Sequence, residues 1–183
     1  MEHVPPDYCP RCGATIPAPP EGDRPTCPAC GYVSYADPKV ATGVLISRQP
    51  DGPPTVTAQT GPKGQEGPKG TLLLVRRNHE PALGRWAFPS GYVDAGEVVE
   101  EAAIREAFEE TGVTIAIDRL IGVYSEAGNP VVFIAYAGHL VSGEAVAGDE
   151  AFEVGWFSAD ALPPLAFPHD DQIVADWRAL TAD

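Results

Sequence analysis

The chain has 183 residues, 44% of them hydrophobic, and a net charge of −14 from 12 Lys and Arg against 26 Asp and Glu. That is the size and composition of one ordinary globular domain with a small appendage. A protein whose main ligand is a nucleic-acid backbone would be expected to carry a basic patch, so that class is disfavoured. No apolar run approaches the roughly 18 residues of a membrane span, and the start lacks the basic-then-apolar pattern of a signal peptide, so a cytoplasmic protein is expected.

All four cysteines lie near the start, in Cys9-Pro-Arg-Cys12-Gly and Cys27-Pro-Ala-Cys30-Gly. Two Cys-x-x-Cys pairs at this spacing fit a tetrahedral, structural Zn²⁺ site, with a disulfide as the alternative. With four thiolates on the ion, no position remains for a catalytic water. A Pro-rich segment this short buries too little apolar surface to fold alone, so the metal would supply its folding energy. Its charges are Arg11 and Arg24 against Glu2, Asp7, Glu21, Asp23 and Asp37, which favours a structural or contact-making segment over a nucleic-acid binder.

Val40–Ile46 and Thr71–Val75 are short apolar runs that predict buried strands. Between them, residues 49–70 are rich in Pro and Gly and read as a flexible hairpin extension or a lid. Arg76 and Arg77 follow the second strand; guanidinium groups there could clamp substrate phosphates or be plain surface charge. Residues 84–91 are turn-rich, and Trp86, Phe88 and Tyr92 read as packing residues, with Tyr92 also a candidate substrate contact.

From Glu100 the chain has no Gly or Pro until Gly112, which predicts a helix with a glycine stop. At about 100° per residue, Ala103, Ile104, Ala107, Phe108 and Thr111 fall on one side, expected as core. Glu106, Glu109 and Glu110 fall opposite, with Ala102 among them. Like charges at this spacing cost a helix a few tenths of a kcal/mol per pair, and a hard cation such as Mg²⁺ or Mn²⁺ would offset the repulsion. The bland alternative is a solvated acidic face.

Gly91, Glu97, Arg105, Glu106, Glu109, Glu110 and Gly112 match all seven fixed positions of the Nudix box, the signature of hydrolases acting on nucleoside diphosphates linked to another moiety. With each residue type near 7% of an average composition, chance agreement is on the order of 10⁻⁸. Two departures stand out: Ala107 replaces a bulkier aliphatic, and Val98 replaces a Ser or Thr cap typically worth about 1 kcal/mol. The resemblance implies that Glu106, Glu109 and Glu110 hold Mg²⁺ or Mn²⁺ together with the Gly91 carbonyl. It also implies that Glu106 or Glu109 is the general base and that Glu97 fixes Arg105 in an ion pair. Upstream, Trp86-Ala-Phe-Pro89-Ser90-Gly91 is similar to the family's Trp-x-x-Pro-Gly-Gly. The four cysteines, Asp37-Pro-Lys39 and the strand after them resemble the zinc-ribbon Nudix subgroup, which includes hydrolases of ADP-ribose and FAD.

Beyond the box, Val113–Ile117, Leu120–Tyr124 and Val131–Val141 predict strands, the last apolar on both faces and therefore central. Where NADH pyrophosphatases carry Ser-Gln-Pro-Trp-Pro-Phe-Pro, this chain has Ser125-Glu-Ala-Gly-Asn-Pro130, which disfavours NADH. Glu150 precedes a strand at Glu153–Phe157; in related enzymes an acidic residue there assists the metal or the base. Asp170 and Asp171 open a last helix with Ile173, Val174, Trp177 and Leu180 at helical spacing.

Pattern alone gives an α+β class. The resemblance implies a Nudix fold, a mixed sheet sandwiched between helices, over residues 37–183, with a zinc ribbon at 1–36. The expected activity is metal-dependent hydrolysis of the pyrophosphate bond of a nucleoside diphosphate derivative, ADP-ribose or FAD first. The alternatives are a (d)NTP pyrophosphohydrolase and a non-catalytic nucleotide-sensing or protein-contact module. The expected partner is a small nucleotide, with no nucleic acid or membrane, and a homodimer is left open.

Overall fold

The computed structural model describes residues 7–20, 22–35, 37–48 and 70–181. The expected insertion, but for Gly70, lies outside the described residues. The chain divides into two compact units, one of residues up to Pro38 with Ala127–Pro130, the other of Lys39–Glu126 and Val131–Asp183. No helix among the described residues is long and apolar enough to cross a membrane.

In the first unit each Cys-x-x-Cys-Gly segment folds into the same turn. The Gly13 N–H donates to the Cys9 carbonyl at 2.8 Å and the Gly31 N–H to the Cys27 carbonyl at 2.9 Å. Both glycines sit at left-handed φ, 74° and 72°, where a residue without Cβ is unstrained. Each turn is closed by an isolated antiparallel bridge, Tyr8 with Thr15 and Thr26 with Val33. The buried cluster is small: Cys9, Ile16 and Cys27, with Ala14, Cys30 and Tyr32 against it.

The second unit comprises, among the described residues, β1 (Lys39–Arg48), β2 (Thr71–Arg77), β3 (Trp86–Ala87), β4 (Ser90–Tyr92), α1 (Val99–Thr111), β5 (Thr114–Tyr124), β6 (Val131–Ser142), β7 (Ala151–Ser158) and α2 (Asp170–Thr181). The sheet runs β3-β2-β1-β6-β5, with β4 also pairing β1 and β7 pairing β2. It is mixed: β1 is parallel to β6 and antiparallel to β2 and β4. The two-residue period of a strand sends alternate side chains to opposite faces. Leu45, Leu72, Leu74, Ala135 and Ala137 meet Ile173, Val174 and Trp177 of α2 on one face. Val44, Ile46, Leu73 and Tyr136 meet Ala103 and Ala107 of α1 on the other. The sheet therefore lies between two helices, and β6 is internal to it.

Three expectations are corrected. β5 is one strand, not two, because register shifts near Thr114, Asp118 and Ile121 absorb the irregular stretch without breaking the pairing to β6. Tyr92 does not pack in the core; it is exposed, with the Lys39 ammonium 5.2 Å from its ring centroid. The buried face of α1 is Ala102, Ala103, Ala107, Glu110 and Thr111, while Ile104 and Phe108 are 37% and 56% exposed. Small side chains let α1 settle close to β1 and β4, so the helix turns its alanines and part of its acidic side inward.

Candidate active site

The site is built on α1 and the segment from β4 to the helix start. As the sequence predicts, Val98 makes no side-chain cap bond, and Gly112 ends the helix at φ 70° with its N–H on the Phe108 carbonyl. Gly91 packs against the helix so closely that a methyl there would come within 2.1 Å of Glu106 Cδ. The Glu106 carboxylate occupies the space that any other residue would fill.

Arg105 gathers the acidic groups. It grips Glu97 with two hydrogen bonds, Nε to Oε1 at 2.8 Å and Nη2 to Oε2 at 2.9 Å, and donates from Nη1 to Glu106 at 2.8 Å and Glu109 at 3.1 Å. Nη2 also donates to the Tyr92 carbonyl at 3.3 Å. Such bidentate, charge-assisted contacts are the strong class. The guanidinium and the Asp94 N–H hold Glu97 down to about 2.

Glu110 behaves differently. It is 5% exposed and accepts the Ser90 N–H at 2.9 Å. Burial, reinforced by Glu106 and Glu150, pushes it up to about 7 against the partial relief of Ser90. Burial also raises Glu106, with Glu109 and Glu150 adding repulsion. Glu106, Glu109, Glu110 and Glu150 thus influence one another electrostatically, and Arg105 bonds to only two of them. Glu106, Glu109 and Glu110 offer carboxylate oxygens, the ligand type that Mg²⁺ or Mn²⁺ prefers, although among the described residues only the four cysteines already bring their ligand atoms within 4.8 Å of one another.

Glu150 lies on a loop docked to the end of α1. The Val146 N–H donates to the Thr111 carbonyl and the Gly148 N–H to the Glu110 carbonyl, both at 2.9 Å, satisfying acceptors that a helix end leaves unpaired. A methyl at Gly148 would stand 2.1 Å from the Glu109 carbonyl oxygen. On its other side the loop receives two bonds from Asn78, Nδ2 to the Asp149 carbonyl at 2.7 Å and N–H to the Glu150 carbonyl at 3.3 Å; the loop approach and these contacts were not anticipated from sequence, because every acceptor is a backbone carbonyl that carries no residue signature.

Arg76 and Arg77 are both engaged by the protein. Arg76 pairs with Glu153 at 3.0 Å and donates to the Gly84 carbonyl at 3.2 Å. Arg77 is buried, donating to the Pro81 carbonyl and to His79, both at 2.8 Å, with its guanidinium 5.2 Å from the centroid of the Phe167 ring.

In the other unit, the Sγ atoms of Cys9, Cys12, Cys27 and Cys30 all lie within 4.8 Å of one another. Cys9 to Cys30 and Cys12 to Cys27 are each 3.6 Å apart. A disulfide needs about 2.05 Å, and the four thiols are free. Tetrahedral Zn²⁺ with bonds of about 2.3 Å would set sulfurs roughly 3.8 Å apart, so the cluster fits that ion.

The NUDIX domain model matches residues 60–177. The chain is 40% identical over 110 residues to an ADP-ribose pyrophosphatase of Methanocaldococcus jannaschii, covering 58% of this chain and 64% of that protein. It is 30% identical over 159 residues to the NAD-capped RNA hydrolase NudC of Pseudomonas aeruginosa, covering 86% of this chain and 50% of that one. Thus the chain spans 64% and 50% of these two curated relatives. A NUDIX hydrolase structure from Nitrosomonas europaea superposes with a TM-score of 0.72 at 26% identity, covering 96% of this chain and 90% of that one. The domain match takes in more than half of the chain, including every fixed residue of the box, and the chain belongs to the Nudix family.

Proposed function

We propose that the protein hydrolyses the pyrophosphate bond of a nucleoside diphosphate derivative, with ADP-ribose the first candidate and FAD the second. The observation that carries this reading is the grouping of Glu106, packed against Gly91, with Glu109 on one guanidinium, that of Arg105, while Glu110 of the same helix accepts the Ser90 N–H. In this reading Glu106, Glu109, Glu110 and the Gly91 carbonyl hold Mg²⁺ or Mn²⁺. A bound ion of that kind supplies Lewis acidity and neutralises charge on phosphoryl oxygens.

The protein's own residues do the rest. Glu106 or Glu109 takes a proton from water as the water oxygen bonds to one phosphorus, and the bond from that phosphorus to the bridging oxygen breaks. The leaving phosphate departs with the electron pair of that bond. Arg105, braced by Glu97, keeps the Glu106 and Glu109 carboxylates oriented. Glu150 adds negative charge that favours retention of the cation. ADP-ribose would give AMP and ribose 5-phosphate. A four-cysteine site holding Zn²⁺ has no open position and would serve structure alone.

A second reading is hydrolysis of NAD-capped RNA, favoured by the relatives of that name that align over most of the chain. Against it stand the net charge of −14 and the segment Ser125-Glu-Ala-Gly-Asn-Pro130.

The test is turnover of ADP-ribose, FAD, NADH, nucleotide sugars, dNTPs and NAD-capped RNA with Mg²⁺ or Mn²⁺. The expected outcome is AMP from ADP-ribose at the highest kcat/KM. A dNTP preferred by tenfold, about 1.4 kcal/mol, would make the protein a triphosphate pyrophosphohydrolase, and preference for capped RNA would favour the second reading. Binding without turnover of any compound would favour a sensor.

A further inference from the structure

A chain of hydrogen bonds of fixed polarity runs from the buried Arg77 to the backbone of the loop that carries Glu150. Arg77 Nη2 lies 2.8 Å from His79 Nε2. A guanidinium can only donate, so Nε2 accepts, and the proton of the neutral ring sits on Nδ1. Nδ1 lies 3.2 Å from Asn78 Oδ1, which accepts it. The Asn78 amide is thereby oriented with Nδ2 outward, and Nδ2 donates to the Asp149 carbonyl at 2.7 Å. The Asn78 N–H donates to the Glu150 carbonyl at 3.3 Å. Every donor along this path meets an acceptor.

The same polarity decides what holds Glu150. Its carboxylate is 3.8 Å from His79 Nε2 and its side chain is 70% exposed. While Nε2 accepts from Arg77 it has no proton to offer, so this contact does not fix the carboxylate. The backbone does: the loop is pinned on one side by the α1 carbonyls of Glu110 and Thr111 and on the other by Asn78. We infer that Asn78 is a positioning residue, one that holds the loop of Glu150 against the end of α1 that carries Glu109 and Glu110, and that His79 and Arg77 determine which way its amide faces. This inference rests on the reading of Glu150 as part of the reactive carboxylate group.

The experiment compares the full-length wild type with Asn78→Ala, Asn78→Asp, Glu150→Gln and the double variant Asn78→Ala/Glu150→Gln. Partners of this kind typically carry a 10- to 100-fold effect, so kcat should fall about tenfold or more in both Asn78 variants with KM unchanged. The double variant should be no slower than Glu150→Gln. Hydrogen exchange at 146–151 should accelerate in Asn78→Ala, with α1 unchanged. Asn78→Asp has nearly the same shape, keeps the acceptor for His79 and replaces the donor to Asp149 with an anionic oxygen that repels that carbonyl, so it tests the same bond if Asn78→Ala does not fold. Wild-type kcat in both folded Asn78 variants, or losses that multiply in the double variant, would overturn the inference. If the wild type turns over nothing, the functional reading fails instead, and unchanged exchange at 146–151 would still sink the positioning role.

Discussion

The carboxylate of Glu106 lies where the first side-chain carbon of any other residue at position 91 would stand, with Cδ only 2.1 Å from it. Gly91 is therefore required by a neighbour rather than by its own backbone. Gly91→Ala should push Glu106 off Arg105. Because a carboxylate at the end of a side chain can swing aside cheaply, folding should survive. The expected outcome is a near-wild-type melting temperature with kcat down by about a hundredfold, the scale of losing one preorganised electrostatic group. An active Gly91→Ala enzyme would show that Glu106 works from another position.

Within α1, function should divide along the helix. Glu109 accepts from Arg105 at 3.1 Å beside Glu106, whereas Glu101 is exposed on the first turn. Glu109→Gln should cost about 10²–10³ in kcat through lost charge stabilisation, and Glu101→Gln little. Kinetics on both variants decide this, and equal losses would contradict it.

The parts of this molecule that were legible in the sequence are those written in residue identity. The box was readable because the chemistry needs carboxylates at fixed helical spacing, and the ends of α1 were readable from Gly112 and the lack of Gly and Pro before it. The helix face was not, because periodicity scores Ile104 and Phe108 above Ala102, while close approach to the sheet selects for small size. Arg77 reads in sequence as a phosphate clamp or plain surface charge, not as a buried group, because its partners, the Pro81 carbonyl and the Phe167 ring, leave no local pattern. Asn78 was silent for the same reason: the hydrogen bonds it donates end on the backbone carbonyls of Asp149 and Glu150.

Glu110 predicts a pH dependence in protein stripped of divalent cations. Its folded value of about 7 exceeds the ordinary 4.5. Between those values the folded state holds the extra proton, so stability falls as pH rises through this window. Below 4.5 the penalty is absent, and above 7 it is complete, at most about 3 kcal/mol. Asp170, raised to about 6 by burial, acts in the same direction, so Glu110→Gln should reduce the slope without abolishing it. Thermal melts from pH 4.5 to 8 should show this, and Mg²⁺ should raise the melting temperature more at pH 8 than at pH 5. A Glu110→Gln profile identical to wild type would remove Glu110 from the account.

The first unit buries little beyond Cys9, Ile16 and Cys27, and a core that small cannot offset the chain entropy of ordering the segment. Cross-linking through a metal would supply what the core lacks. Freshly purified protein should contain one Zn²⁺ per chain by elemental analysis. Cys27→Ser should abolish that zinc, since Cys27 is almost fully buried at 1% exposure and a hydroxyl is a poor replacement for thiolate on zinc. In that variant the amides of Gly13 and Gly31, whose hydrogen bonds to the Cys9 and Cys27 carbonyls define the two turns, should lose their exchange protection, while those of β1 and β6 keep theirs. Absence of zinc from fresh protein, or protected turns after its removal, would mean that the four sulfurs are held together by packing alone.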